Sequence, residues 1–133
     1  MKPSIIVGIV FGLITIVVNL TIVATFKDKS NAMFLVSGLL FFNIYFAILF
    51  TKKKLGYSLL FIQGFKASVQ AGITQSLFYF LSIIILQKYI QPGFFPDLNT
   101  IPQYFSILNT NIILFSLISA IFGAILSQML SNK

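Results

Sequence analysis

The polar side chains inside long apolar stretches are the residues of this sequence that could do chemistry. Gln63, Lys66, Gln70 and Thr74 recur at spacings of three or four residues, so on a helix they share one face. A polar stripe on a membrane helix faces the bundle interior or water more often than lipid, where it could contact a transported ion or solute. The alternative, which we favour, is that Lys66 extends its long side chain to the membrane surface.

Two amides within apolar stretches form a second candidate pair. Asn43 lies about 17 Å from the start of the second stretch, and Gln75 lies about 12 Å from the start of the third, at the rise of a helix. These depths allow the two side chains to meet, and a hydrogen bond between them would contribute about 0.6 kcal/mol, up to about 2. We interpret the pair as a structural link between helices. The alternative is a pore-lining amide pair.

The residues available for catalysis are few. The sequence contains no Cys, His, Glu, Trp or Arg, and its acids are Asp28 and Asp97 alone. General acid–base catalysis and zinc or iron sites draw mainly on the missing residue types. We therefore predict a protein that is not an enzyme, with no catalytic residue, no metal site and no cofactor.

The basic charge of the chain points to lipid rather than to nucleic acid. The net charge is +7, but the nine lysines are spread along the ends of the apolar stretches. Lysines at a membrane surface attract anionic headgroups by about 1 kcal/mol each. The cluster Lys52, Lys53 and Lys54 is the predicted contact with anionic lipid.

Four apolar stretches must position these residues. Hydrophobic residues make up 58% of the chain and charged residues 8%, which excludes an ordinary soluble domain. Because about 20 apolar residues span a bilayer as a helix, we predict transmembrane helices at about 5–26, 32–50, 58–91 and 103–130. Short connections then give an all-α, up-and-down four-helix bundle, with residues 1–133 as a single transmembrane domain.

The distribution of lysines predicts the orientation of the bundle. One side collects six lysines and no acid: Lys2, Lys52, Lys53, Lys54, Lys66 and Lys133. The other side collects three lysines and both acids: Lys27, Lys29, Lys88, Asp28 and Asp97. The more basic side faces the cytoplasm, so both termini are predicted to be cytoplasmic, in a bacterial inner membrane.

The third helix and the connection after it have unusual features. The third helix is longer than a span needs, so its first part is predicted to lie along the cytoplasmic interface, with Gly64 as a possible bend. The connection between the third and fourth helices carries Phe94 and Phe95. These rings either anchor the loop at the interface or dock a partner protein.

The chain from Gly56 to Ile90 resembles the central segment of the DUF4199 family, which consists of small four-helix membrane proteins of Bacteroidetes. The residues that carry the resemblance are Gly56, Gln63, Phe65, Lys66, Gly72 and Tyr79. The resemblance implies the location and the fold. It implies no activity, because the family has none assigned.

Two functions remain open at this point. The first is a non-enzymatic accessory or scaffold subunit of a larger membrane assembly, formed with other subunits or as a homo-oligomer. The absence of catalytic groups, the short loops and the recurrent small residues favour it. The second is a small transporter or channel that uses the polar stripe of the third helix.

Overall fold

The structure is a computed structural model, and it describes residues 2–26, 29–56, 59–90 and 100–131. The described chain is helical, with four α-helices: α1 (Pro3–Phe26), α2 (Lys29–Lys54), α3 (Phe61–Ile85) and α4 (Ile101–Leu130). A π-helical turn, Leu86–Ile90, extends α3. All four helices are long and apolar enough to span a membrane. The prediction of an all-helical chain with four such helices is therefore confirmed.

The second helix is longer than the sequence predicts. It runs from Lys29 to Lys54 rather than over 32–50, so Lys52, Lys53 and Lys54 form its last turn and not a loop. Cations are stabilised at a helix C-terminus, where the backbone carbonyls concentrate negative partial charge. The lysine run therefore prolongs the helix at the point where its apolar sequence ends.

The third helix begins later than predicted and is not interrupted at Gly64. Gly56 adopts a φ of 72°, a left-handed conformation that glycine accepts readily, and Leu60 is extended. These two residues separate α2 from α3, so the predicted lead-in along the interface is not a continuation of α3. Gly64 lies inside the continuous helix Phe61–Ile85.

The fourth helix begins at Ile101, two residues before the predicted start. Gln103 reaches back with its side-chain oxygen and accepts a hydrogen bond from the Thr100 backbone N–H at 3.0 Å. Pro102 lies in the first turn, where a missing N–H removes no helical bond. Thr100 is therefore the residue that precedes this helix, and the Gln103 side chain caps its start.

The third helix is central to the bundle. Both α3 and α2 contact the other three helices, α3 more extensively, whereas α1 and α4 make no contact among the described residues. Close approach to α1 depends on Gly8 and Gly12. A Cβ at Gly8 would lie 2.8 Å from Thr74 Cβ, and a Cβ at Gly12 would overlap the ring of Phe78.

The interface between α3 and α4 is built from glycines that each face a serine. A Cβ at Gly64 would lie 2.5 Å from Ser127 Oγ, and a Cβ at either of the other two glycines would lie still closer to the hydroxyl of its serine. The three facing pairs are Gly64–Ser127, Ser68–Gly123 and Gly72–Ser119. Small residues at four-residue spacing let helix backbones approach closely, so the spacing seen in the sequence is used within the bundle.

The apolar side chains divide between a core and an outer surface. Leu40, Ile44 and Ile48 of α2 are buried in the core together with Leu59. The outer surface exposes large apolar side chains, for example 79% of Phe34 and 74% of Met129. Such a surface indicates a membrane-embedded protein, because exposed apolar patches of this extent are rare on soluble monomers.

Candidate functional site

A cluster of three polar side chains lies at the centre of the bundle. Asn43 Nδ2 donates hydrogen bonds to Gln75 Oε1 at 2.8 Å and to the Ala71 carbonyl at 3.0 Å. Gln75 Nε2 donates to Thr15 Oγ1 at 3.0 Å. All three side chains are fully buried. The structure therefore brings Asn43 and Gln75 together and adds Thr15 of α1, which the sequence did not single out.

Two further polar contacts join α1 to α3, one above and one below this cluster. Ser4 Oγ donates to Gln70 Oε1 at 2.8 Å, and Asn19 Nδ2 donates to Ser82 Oγ at 2.7 Å. With the central cluster they form a column of neutral polar side chains along the α1–α3 interface. Each member bonds to another helix, so the column holds α1 against α3.

The four residues of the predicted polar stripe of α3 differ in their contacts. Gln63 Oε1 accepts a hydrogen bond from the Leu60 backbone N–H at 2.9 Å and so caps the start of α3. Lys66 is exposed. Thr74 donates to the Gln70 carbonyl of its own helix at 2.8 Å and packs against Gly8. A spacing of three or four residues is typical both of a capping residue and of residues on one helix face, so the spacing alone does not distinguish the two.

A cleft at one end of the bundle collects three of the stripe residues. It has a volume of about 240 Å³ and lies between the start of α1, the end of α2 and the start of α3. Its polar lining includes Lys2, Ser4, Lys54, Gln63, Lys66 and Gln70. The Thr51 hydroxyl also lines the cleft, buried and without a hydrogen-bond partner. Three cations from three separate segments therefore converge on one small space.

An apolar groove adjoins the cleft. It has a volume of about 740 Å³ and runs between α1 and α2, with Pro3 and Lys54 common to both spaces. The rings of Phe11 and Phe46 line it and stack with their centroids 6.0 Å apart. The cleft and the groove therefore lie side by side, the cleft lined by three lysines and the groove mostly by apolar side chains.

The lysine cluster predicted to contact anionic lipid separates into two parts. Lys52 Nζ donates a hydrogen bond to the Leu130 carbonyl at the end of α4, at 2.9 Å. Lys53 and Lys54 instead line the apolar groove. Lys52 is thus held at the end of α4, and Lys53 and Lys54 are the two lysines of the cluster that stay on the groove.

The fourth helix carries polar side chains that the sequence analysis did not select. Asn109 is exposed, and Asn111 is buried with its side-chain nitrogen unpartnered. The Thr110 hydroxyl donates to the Ser106 carbonyl of its own helix. An exposed amide in an apolar helix is the signal that could have identified Asn109. Phe94 and Phe95, the predicted docking loop, lie outside the described residues.

No family model, no curated protein and no solved structure matches the chain.

Proposed function

We propose that this protein is an integral protein of the bacterial inner membrane with both termini in the cytoplasm. The spacing of lysines on the third helical segment supports membrane insertion. Lys66 and Lys88 are 22 residues apart, which is about 33 Å along a helix and close to the hydrocarbon thickness of about 30 Å. The excess of lysines on the side of the bundle that holds both chain termini supports the cytoplasmic location of that side. The DUF4199 resemblance supports the bacterial inner membrane.

Within that membrane, the protein acts as a non-enzymatic accessory or scaffold subunit of a larger assembly. The observation that carries this proposal is the exposed Asn109 on α4. Lys88 lies over the ring of Tyr104 at 5.8 Å, and Asn109 is five residues further along α4, or about 7.5 Å deeper. The amide therefore lies within the hydrocarbon layer of the proposed orientation, away from the bundle interior.

An amide in that position favours a partner helix. Burying an unpaired amide in an apolar medium is unfavourable, and Asn side chains in membranes commonly hydrogen-bond across helices. The neighbouring Thr110 hydroxyl is already satisfied by its own helix, so Asn109 is the side chain that gains most from a partner. Among the four helices, α4 has the smallest buried share, so it also has the most open side for another subunit.

The test compares Asn109→Leu with Thr110→Ala, after purification in a mild detergent. We expect the wild-type protein to elute with a partner or as a homo-oligomer, and a photo-crosslinker at position 109 to trap that neighbour. Asn109→Leu is expected to shift the protein to its monomer mass, whereas Thr110→Ala leaves the complex intact. A wild-type protein that elutes alone as a monomer in every mild detergent contradicts the proposal, as does a complex unaffected by Asn109→Leu.

The alternative function is a small transporter or channel that uses the polar stripe of α3. The basic cleft favours it, since a cleft open to one side is where a transported anion would enter. The geometry supports it less than the accessory role, because Asn43, Gln75 and Thr15 bond to one another and close the bundle deeper in. Anion flux into liposomes that is lost in Lys66→Ala would favour the transporter, and no flux for any solute would favour the accessory role.

A further inference from the structure

We propose that the basic cleft and the apolar groove together bind one anionic glycerophospholipid of the cytoplasmic leaflet. Its phosphate lies among Lys2, Lys54 and Lys66, and one acyl chain lies in the groove between α1 and α2. The inference rests on the proposed membrane location and orientation. It is independent of whether the protein is an accessory subunit.

The positive charge of the cleft suits an anionic ligand. Lys2, Lys54 and Lys66 line the same space. No acidic side chain lies among the described residues that line it, and the two acids of the chain, Asp28 and Asp97, fall in the sequence between α1 and α2 and between α3 and α4. Three ammonium groups that line one small space repel one another unless a negative group lies between them.

The amides of the cleft add hydrogen-bond donors rather than acceptors. The Gln63 oxygen already accepts a hydrogen bond from the Leu60 backbone N–H, and the Gln70 oxygen accepts one from Ser4. Each amide therefore keeps its NH₂ group as the part left for a ligand. Two amide nitrogens and three ammonium groups form a lining that donates, which suits phosphate oxygens.

The groove distinguishes a lipid from a soluble anion. It extends along α1 from Pro3 to Phe11, about 12 Å at the helical rise, and starts at the cleft. Phe11, Phe46 and Phe50 stack in sequence beside it, with centroids 6.0 and 6.2 Å apart. A ligand that fills both spaces needs a negative head and an apolar tail parallel to the helices.

The same geometry places the lipid at the correct depth. Lys66 marks the cytoplasmic limit of the proposed span of α3, so a phosphate beside it lies at headgroup level. The groove then runs from this level into the hydrocarbon layer, as an acyl chain does. A zwitterionic phosphatidylcholine suits the site less, because its choline cation would enter a cleft already lined by three lysines.

The test measures retained lipid by native mass spectrometry on the full chain in a mild detergent. The probes are dioleoyl phosphatidylglycerol and dioleoyl phosphatidylcholine, which differ only in the headgroup. We expect one phosphatidylglycerol per chain to be retained in preference to phosphatidylcholine. Lys54→Gln and Lys66→Gln should each weaken its retention by about fivefold, given about 1 kcal/mol per lysine near a lipid surface. Lys88→Gln at the other end of the bundle is the matched control.

A second pair of variants tests the groove. Val10 lines the groove and Val17 does not, although both are exposed on α1. Val10→Phe is expected to weaken retention of phosphatidylglycerol, and Val17→Phe to leave it unchanged. Displacement of the lipid by free glycerol phosphate, or full retention in Val10→Phe, would identify a soluble-anion site and overturn the lipid assignment.

Three other results also overturn the site: equal retention of the two lipids, no effect of either lysine variant, or an equal loss in Lys88→Gln. Resistance of the protein to carbonate extraction from membranes is measured first. A protein that is extracted contradicts the membrane location itself. A protein that resists extraction but fails the lipid tests contradicts only the lipid site.

Discussion

Asn43 of α2 and Gln75 of α3 lie with their side-chain nitrogen and oxygen 2.8 Å apart, both fully buried. Asn43 also donates to the Ala71 carbonyl, while its own oxygen has no partner. Gln75 in turn donates a hydrogen bond to the Thr15 hydroxyl of α1. One asparagine thus joins three helices through a single chain of hydrogen bonds.

Removing this pair should show that its two members are energetically coupled. In a double-mutant cycle of Asn43→Ala and Gln75→Ala, we expect a coupling free energy of about 0.6 kcal/mol, up to about 1.7, because this is the range for side-chain hydrogen bonds in membrane proteins. Unfolding in mixed micelles of increasing SDS content measures it. Thr110→Ala, whose hydroxyl bonds only within α4, should leave the free energy of unfolding nearly unchanged. Additive single-variant effects would mean that the hydrogen bond contributes nothing.

The facing glycines and serines of α3 and α4 allow a sharper test. Gly72→Ser should destabilise the protein by about 1–3 kcal/mol, because the new side chain overlaps Ser119. Adding Ser119→Gly should restore most of the loss, since it reproduces the order found at Ser68 and Gly123. Gly38→Ser is the control, as a Cβ at Gly38 meets nothing within 4 Å. The same unfolding titration applies, and a destabilised Gly38→Ser with an intact Gly72→Ser would refute the packing argument.

The neighbouring residues Lys52 and Lys53 should behave differently. Lys52 donates to the last carbonyl of α4, whereas Lys53 lies along the groove. Lys52→Met should lower the hydrogen-exchange protection of the last turn of α4 by about two- to fivefold, the range expected for a cation at a helix C-terminus. Lys53→Met should not change it. Equal effects of the two substitutions would show that only the total charge matters.

The proposed orientation can be measured by labelling, because the chain contains no native cysteine. Leu55→Cys lies just after α2, and Ile101→Cys begins α4 at the other end of the bundle. Both native residues are exposed. With cytoplasmic termini, a membrane-impermeant maleimide should label Ile101→Cys in intact spheroplasts and Leu55→Cys only after permeabilisation. The reverse labelling pattern would mean that the orientation inferred from the distribution of lysines is wrong.

Properties within one helix were accessible from the sequence, and contacts between helices mostly were not. The four helices follow from apolar length, and the meeting of Asn43 and Gln75 follows from depth, because each residue advances a helix by a fixed rise. The pairing of Gly72 with Ser119 depends on the register between α3 and α4, which the periodicity of either helix does not specify.

The candidate site shows the same division. Lys66 and Gln70 were selected from their spacing, but Lys2 and Lys54 join them only through the packing of α1, α2 and α3. Gln63 lines the cleft and also caps α3, and this second role could not be predicted because the reach of a capping side chain depends on where the helix starts. That start depends on Gly56, whose left-handed φ is a backbone property that a hydropathy pattern does not reveal.

The central place of α3 has a consequence for synthesis of the protein. Asn19 and Asn43 find side-chain partners on α3, yet α1 and α2 emerge from the ribosome first. Until α3 arrives, the two amides of the first hairpin lack these partners, which is unfavourable in the apolar surroundings of the proposed membrane location. A chain truncated after α2 lacks the partners of both asparagines, so quality-control proteases should degrade it faster than the full chain.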